Sequence, residues 1–429
     1  MEKKYKIGWK TATALVIANM IGAGVFTSLG FQLVEVTNTW SIMILWTLGA
    51  IMALSGALSY AELSTSMVRS GGEYQFLSKI FHPLVGYLSG WVSLTVGFAA
   101  PVALASIAFG EYLSLYLGID KVILGSVIVV LITFLHTISV KHSSFLQNST
   151  TIFKLLTILV IIVAGFTIST PESAFEWSNL WKNEILLPGF AVSFVYVTFS
   201  YSGWNAASYL AEEIKSPIKN IPKALLVGTF LVSVLYILLN LTFLKHGTLH
   251  SLQGQLEVGQ IASNAMFGAT GGKAISIAIG LILVSSISAM VWIGPKVTQV
   301  MGEDHRLWYW FSKLSKKEIP KRAILLQLLI TLVLLISGTF QQILIYSGFT
   351  LQLFGALTIY SVFLNRKKNG ENTLQFKTPF YPIPQLIFLL LSAWILIYLL
   401  YHQPIQSLLG LLNIGVGIII YKFDKSTKK

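Results

Sequence analysis

The sequence predicts an all-α polytopic membrane protein with twelve transmembrane helices. Three observations lead there. Of the 429 residues, 54% are hydrophobic and only 11% are charged, where a soluble chain carries about twice that share of charge. Twelve apolar runs are long enough to cross a bilayer, at about 20 residues each. Lys and Arg gather in alternate connections between those runs.

In order, the runs are Thr11–Val34, Trp40–Ser66, Pro83–Leu117, Val122–Val140, Ser144–Phe166 and Leu187–Glu212. The second set is Pro222–Leu244, Lys273–Lys296, Ala323–Ser337, Gln341–Leu364, Gln385–Tyr401 and Gln406–Tyr421. The third is overlong and predicts a tilted helix. Its Pro101 is accommodated as a kink inside a bundle. The basic stretch Met1–Lys10 ahead of the first run has the outline of a signal peptide. A run of about 24 residues exceeds an h-region of about 7–15 and lacks a small-residue cleavage site, so a retained transmembrane helix is expected.

With the N-terminus inside, the cytoplasmic pieces hold Lys3, Lys4, Lys6 and Lys10, then Arg69, Lys79 and Lys141, then Lys215, Lys219 and Lys223. They also hold the cluster from Lys296 to Arg322, the group Arg366 to Lys377, and Lys422, Lys425, Lys428 and Lys429. The outer side has Lys121, Lys182, Lys245 and Lys273. Both termini are therefore expected in the cytoplasm. The net charge of +13 is read as a topology signal and not as a nucleic-acid surface. The chain has no cysteine, which excludes a disulfide, a cysteine metal site and a thiol nucleophile. Its seven histidines are scattered near span ends, so no metal site, no cofactor and no catalytic constellation is predicted.

Among the loops, Thr170–Leu186 and Gly247–Gly272 are expected outside, with a short helix over Leu249–Phe267. Inside, Met301–Lys317 combines Trp308, Trp310 and Phe311 with lysines, the pattern of a helix lying at the membrane surface.

The first run contains Gly22-Ala23-Gly24. Each glycine costs roughly 1 kcal/mol against alanine in a helix interior. Freed backbone groups in hydrocarbon cost several kcal/mol apiece unless something satisfies them. The matching weak point is Phe199-Ser200-Tyr201-Ser202-Gly203-Trp204-Asn205 in the sixth run. Two glycines alone suit close helix packing. Paired interruptions, each opening a set of five spans, point instead to inverted repeats and a binding site between them. Half-helix N-termini suit a carboxylate, and unwound carbonyls suit an ammonium. A zwitterion fits. No carboxylate lies in either break, so nothing there pairs with a cationic substrate side chain.

Lys154 lies about 15 Å from either end of its span, at 1.5 Å per residue. An unpaired charge at mid-membrane costs about 2.5–3.5 kcal/mol on insertion scales. It is expected to face inward, toward carbonyls near Met20–Gly22 and hydroxyls of Ser285-Ser286-Ile287-Ser288. Either it is a fixed structural cation or it locks and releases the first helix. Tyr236, also near the midplane, needs a partner for its hydroxyl, in packing or in gating. Phe199, Trp204 and Asn205 flank the second break, with Phe199 placed to act as an aromatic lid.

Thr11–Phe26, Tyr60–Tyr74 and Tyr201–Lys215 carry a resemblance that covers essentially the whole chain. The first two stretches resemble the amino acid–polyamine–organocation superfamily. The third looks like its L-amino-acid-transporter branch, closest to bacterial alanine–serine–cysteine exchangers. The resemblance implies a single transporter domain, 1–429, of the leucine-transporter-like fold. Its five-plus-five inverted repeat would occupy about 11–166 and 187–364, with extra helices at about 385–421. It implies that the backbone N–H groups of Gly22, Ala23 and Gly24 meet the substrate carboxylate. The carbonyls of Met20, Phe199 and Ser202 would meet the amine. Phe199, Trp204, Asn205 and Tyr236 would form the gate and pocket. Lys154 and Ser286 would stand where sodium-coupled relatives hold sodium.

The implied function is sodium-independent exchange of small neutral L-amino acids across a bacterial cytoplasmic membrane. Animal members attach to a glycoprotein through a cysteine between helices three and four. The loop here, about Gly118–Lys121, has none, so no disulfide-linked heavy subunit is expected and the chain is expected to work as a monomer. A proton-coupled symporter and a non-transporting amino acid sensor are the alternatives.

Overall fold

The computed structural model describes residues 6–138, 141–169, 177–370 and 374–424, without the side chains of 141–147. Lys3, Lys4, Lys425, Lys428 and Lys429, the last two residues of the fourth predicted span and the start of the Thr170–Leu186 loop lie outside them. Among the described residues the structure is helical and has no strand. An isolated bridge pairs Ile7 with Ile214, through Ile7 N–H to Glu213 O at 2.8 Å and Lys215 N–H to Ile7 O at 2.9 Å.

The first predicted span is two helices, α1 (Trp9–Met20) and α2 (Ala23–Glu35), followed by α3 (Thr39–Ser66) and the short α4 (Glu73–Ile80). Next come α5 (Pro83–Val92), α6 (Ala99–Leu117), α7 (Lys121–Ile138) and α8 (Lys141–Thr167). The turn α9 (Trp181–Glu184) precedes α10 (Pro188–Tyr201), after which a 3₁₀ helix runs over Ala206–Glu213. The remainder is α11 (Pro217–His246), α12 (Leu249–Leu252), α13 (Val258–Asp304), α14 (Tyr309–Ser312), α15 (Lys321–Ser337), α16 (Phe340–Asn369), α17 (Ile383–His402) and α18 (Pro404–Phe423).

Ten helical stretches among the described residues are long and apolar enough to cross a membrane. The two other predicted spans are shorter: α10 has 14 residues and α15 has 17. Burial orders the bundle. The apolar window of the first stretch is 89% buried, against 22% for Lys121–Ile138 and 17% for Pro404–Phe423. The broken helix is at the centre, and the last helix is at the rim.

Three local outcomes refine the sequence reading. Pro101 lies in the first turns of α6 just after a π-turn, Ser93–Gly97, closed by Phe98 N–H to Ser93 O at 3.1 Å. The overlong run is thus two helices joined by a π-bulge, a common device where a helix must change course. On α13, Gly268 has φ 71 and divides an outer segment from the membrane span, so the expected Leu249–Phe267 helix is present in two pieces. The expected surface helix over Met301–Lys317 is not formed as one element. The chain there is the end of α13, a 3₁₀ turn over Arg306–Trp308 and α14. Trp308 turns inward because its indole N–H finds the Tyr87 hydroxyl at 3.0 Å, while Trp310 stays exposed beneath Arg322 at 4.3 Å.

A buried ion pair fastens α16 to α3. Arg366 Nε and Nη2 donate to the two Glu62 oxygens at 2.8 and 2.7 Å. Thr378 N–H adds a third bond to Glu62 at 2.8 Å, and the guanidinium lies 3.7 Å from the Tyr381 ring centre. Removing one partner of such a pair costs about 3–5 kcal/mol, because the other charge stays buried and unpaired. Glu62→Gln is expected to lower the thermal unfolding midpoint of detergent-purified protein markedly. An unchanged midpoint would mean the pair contributes nothing to holding these helices.

Candidate functional site

The first break starts one residue before the glycine pair and leaves Ala23 and Gly24 inside the second half-helix. Helix α1 ends at Met20, Ile21 and Gly22 are extended (ψ 93 and −151), and α2 restarts at Ala23. Gly22 caps α2 without a side-chain hydrogen bond. The first N–H groups of α2, those of Ala23 and Gly24 among them, therefore have no intrahelical acceptor. A helix end likewise strands four carbonyls, here those of Ala18, Asn19, Met20 and Ile21.

Three of the four are satisfied by side chains from other helices. Lys154 of α8, with no exposed surface, donates to Ala18 O at 3.0 Å, to Ile21 O at 2.9 Å and to Ser286 Oγ at 2.8 Å. An ammonium has three N–H donors, and all three are used. Ser286 of α13 donates in turn to Ile21 O at 2.7 Å. Tyr236 of α11 donates to Met20 O at 2.6 Å. The fourth carbonyl, of Asn19, accepts no hydrogen bond among the described residues, and Asn19 lines the central cavity.

The second break has the same character. Helix α10 ends at Tyr201, Ser202 is extended with its N–H bonded to Phe199 O at 2.9 Å, and Gly203 takes φ +96 before the 3₁₀ helix begins. The two breaks pack directly on each other. A Cβ at Gly24 would lie 2.6 Å from Ser200 Cα, and one at Gly203 would lie 2.7 Å from the Asn19 backbone. Ser200 Oγ adds a hydrogen bond to Ser28 Oγ at 2.9 Å. Glycine is required at both contacts, for space at Gly24 and for both space and backbone conformation at Gly203.

Around this contact the structure gathers Met20, Gly22, Ala23, Gly24, Phe199 and Ser202 along one small cavity. Asn19, Phe199 and Ser202 also line a larger chamber, whose wall includes Trp204 and Asn205. Trp204 is wedged edge-on against Tyr60 and Phe388, with ring centres 4.7 and 6.1 Å apart. Lys154, Ser286 and Tyr236 are not in the cavity wall. They stand behind the first break and hold its backbone. Of the oxygens foreseen near Lys154, Ile21 O and Ser286 Oγ are its partners, and Ala18 O, one turn earlier, completes the set.

Sequence reasoning missed Glu73. It opens α4, is 7% exposed and lines the larger chamber. Its Oε1 accepts hydrogen bonds from the Tyr60 hydroxyl at 2.5 Å and from Asn205 Nδ2 at 3.2 Å. Both breaks lack a carboxylate, as read from the sequence, but the chamber between them does not. The available signal was Gly71-Gly72, which reverses the chain with φ +113 and +53 and carries Glu73 back against the second break.

The family model for amino acid permeases matches residues 7–419. The serine/threonine exchanger SteT of Bacillus subtilis (strain 168) is 28% identical over 440 residues, covering 99% of this chain and 98% of that protein. The b(0,+)-type amino acid transporter 1 of Mus musculus is 25% identical over 427 residues, covering 97% of this chain and 87% of the relative. The large neutral amino acids transporter small subunit 2 of Mus musculus is 26% identical over 450 residues, covering 97% and 80%. The chain is therefore a multi-pass membrane protein of the amino acid permease family, a transporter and not an enzyme.

Proposed function

We propose that this protein exchanges small neutral L-amino acids, such as alanine, serine, cysteine and glycine, by alternating access and without sodium. The α-carboxylate sits at the N–H groups of Gly22, Ala23 and Gly24, where the dipole of α2 favours negative charge. The α-ammonium takes the opposite side, at the free carbonyl of Asn19 and at those of Met20, Phe199 and Ser202. Phe199, which borders both chambers, closes over the substrate, and Trp204 and Asn205 complete the pocket. In this reading the chain is a twelve-helix, five-plus-five inverted repeat with two added helices. It works as a monomer in a bacterial cytoplasmic membrane, with both termini inside.

The observation that carries the reading is the bonding of Lys154. Its ammonium occupies a set of oxygens, from Ala18, Ile21 and Ser286, that would otherwise suit a small cation. A second positive charge about 4 Å away would be opposed by about 4 kcal/mol at an effective dielectric of 20. A fixed charge in this position removes the need for sodium.

Liposomes holding the purified protein test this directly. Uptake of labelled alanine or serine is expected to require unlabelled amino acid inside and to be the same in sodium and choline buffers. Uptake driven by a sodium gradient would contradict the reading. Lys154 has neutral oxygens for all its partners, which favours a second reading, proton symport with a titrating amine. Net uptake into amino-acid-free liposomes under a pH gradient would select that reading, and binding without flux would select a sensor.

Lys154→Ala tests the role of the charge. The variant is expected to fold and reach the membrane, with exchange reduced at least about tenfold, or about 1.4 kcal/mol. Unchanged flux and substrate affinity would make the lysine a purely structural cation.

A further inference from the structure

The larger chamber has one charged residue in its wall, Glu73. Its position is enforced by backbone. Gly72 lies so close to Tyr209 that a Cβ would come within 2.6 Å of the ring, and the next residue is delivered to the end of the unwound Ser202–Asn205 turn. There Glu73 Oε1 is held by Tyr60 and Asn205, and Asn205 Nδ2 is itself 3.2 Å from the Tyr209 hydroxyl. Among the described residues Glu73 has no cation within ion-pairing distance, and its second oxygen, Oε2, has no hydrogen bond. The side chain is more than nine-tenths buried. Oε2 is left to accept a hydrogen bond from a ligand in the chamber.

The surrounding wall fixes what that ligand is. Met52, Ala53, Leu351 and Phe388 give it an apolar side, Ser93, Thr198 and Tyr209 a polar one, and the Gln352 amide N–H is bonded to Ser392 Oγ at 2.6 Å. A chamber of mixed lining with an apolar side and one carboxylate oxygen left to accept fits a short aliphatic stem ending in a hydrogen-bond donor. The chamber adjoins the small cavity at the two breaks, since Asn19, Phe199 and Ser202 border both.

We infer that Glu73 reads the substrate side chain, accepting a hydrogen bond from a hydroxyl or amine on a short stem. The transporter then selects L-amino acids with such a group over their methyl-ended analogues. The inference rests on the reading that the substrate backbone occupies the two breaks. It alters the selectivity expected from the sequence, since a short cationic side chain becomes acceptable and a purely aliphatic one is penalised. A site built to accept a hydrogen bond discriminates against the analogue that lacks the donor more sharply than an apolar pocket resolves a methylene.

The test uses full-length protein in liposomes preloaded with alanine and measures inhibition of labelled alanine uptake by matched pairs. These are serine against 2-aminobutyrate, threonine against valine, and 2,4-diaminobutyrate against norvaline. In wild-type protein the donor-bearing member is expected to inhibit about tenfold more strongly, or more. Glu73→Gln is expected to shrink that ratio most for the diaminobutyrate pair, since the amide keeps the shape and loses the charge. Equal inhibition within all three pairs in wild-type protein would overturn the inference whether or not the variant folds. Unchanged ratios in a folded Glu73→Gln variant would also overturn it. Wild-type protein that exchanges no alanine would instead remove the transport reading beneath it.

Discussion

A membrane helix that stops partway leaves four carbonyls without helical partners, and this molecule is arranged around the answer to that problem. Ala18, Met20 and Ile21 give their oxygens to Lys154, Ser286 and Tyr236. These three donors come from α8, α13 and α11, so satisfying one backbone break draws three helices onto the centre of the bundle. Secondary contacts follow the same line: Ser285 Oγ bonds Thr150 Oγ1 at 2.9 Å, and Thr151 Oγ1 reaches Ala14 O at 3.4 Å. Of the ten membrane-length stretches among the described residues, the most buried is the broken first one.

The same constraint divides labour at the break. One face of it is closed by protein and made rigid. The other, with the free carbonyl of Asn19 and the uncapped start of α2, opens on a cavity. A charged group behind the backbone, and free backbone N–H and C=O groups in front of it, suit a ligand that carries both signs. The second break supplies the opposing wall, and the contacts of Gly24 on Ser200 and of Gly203 on Asn19 make the two breaks one structural unit.

Much of this was legible from the chain. The Gly22–Gly24 and Phe199–Gly203 interruptions were visible because apolar spans seldom contain such residues without cause. Lys154 was visible because a mid-span charge has few tolerable surroundings, and Ser286 lay among the hydroxyls expected near it. Less legible were features set by geometry between distant segments. That Ile21 and Gly22, and not Ala23, are the extended residues depends on where Lys154 and Ser286 reach. The π-turn over Ser93–Gly97 leaves no compositional mark beyond Gly97 and a nearby Pro101. Tyr236 was a plausible wall residue by depth, but it lines neither cavity and its hydroxyl is spent on Met20 O. Glu73 was hidden because it follows the end of a span, where a carboxylate normally faces water. The paired glycines before it return it to the interior.

The central claim is that Lys154 holds the first break in its observed form. Amide hydrogen–deuterium exchange of wild-type protein and Lys154→Gln, in the same detergent, addresses it directly. The account predicts faster exchange in peptides covering residues 15–26 of the variant, with α17 and α18 unchanged. Identical exchange across residues 15–26 would contradict it.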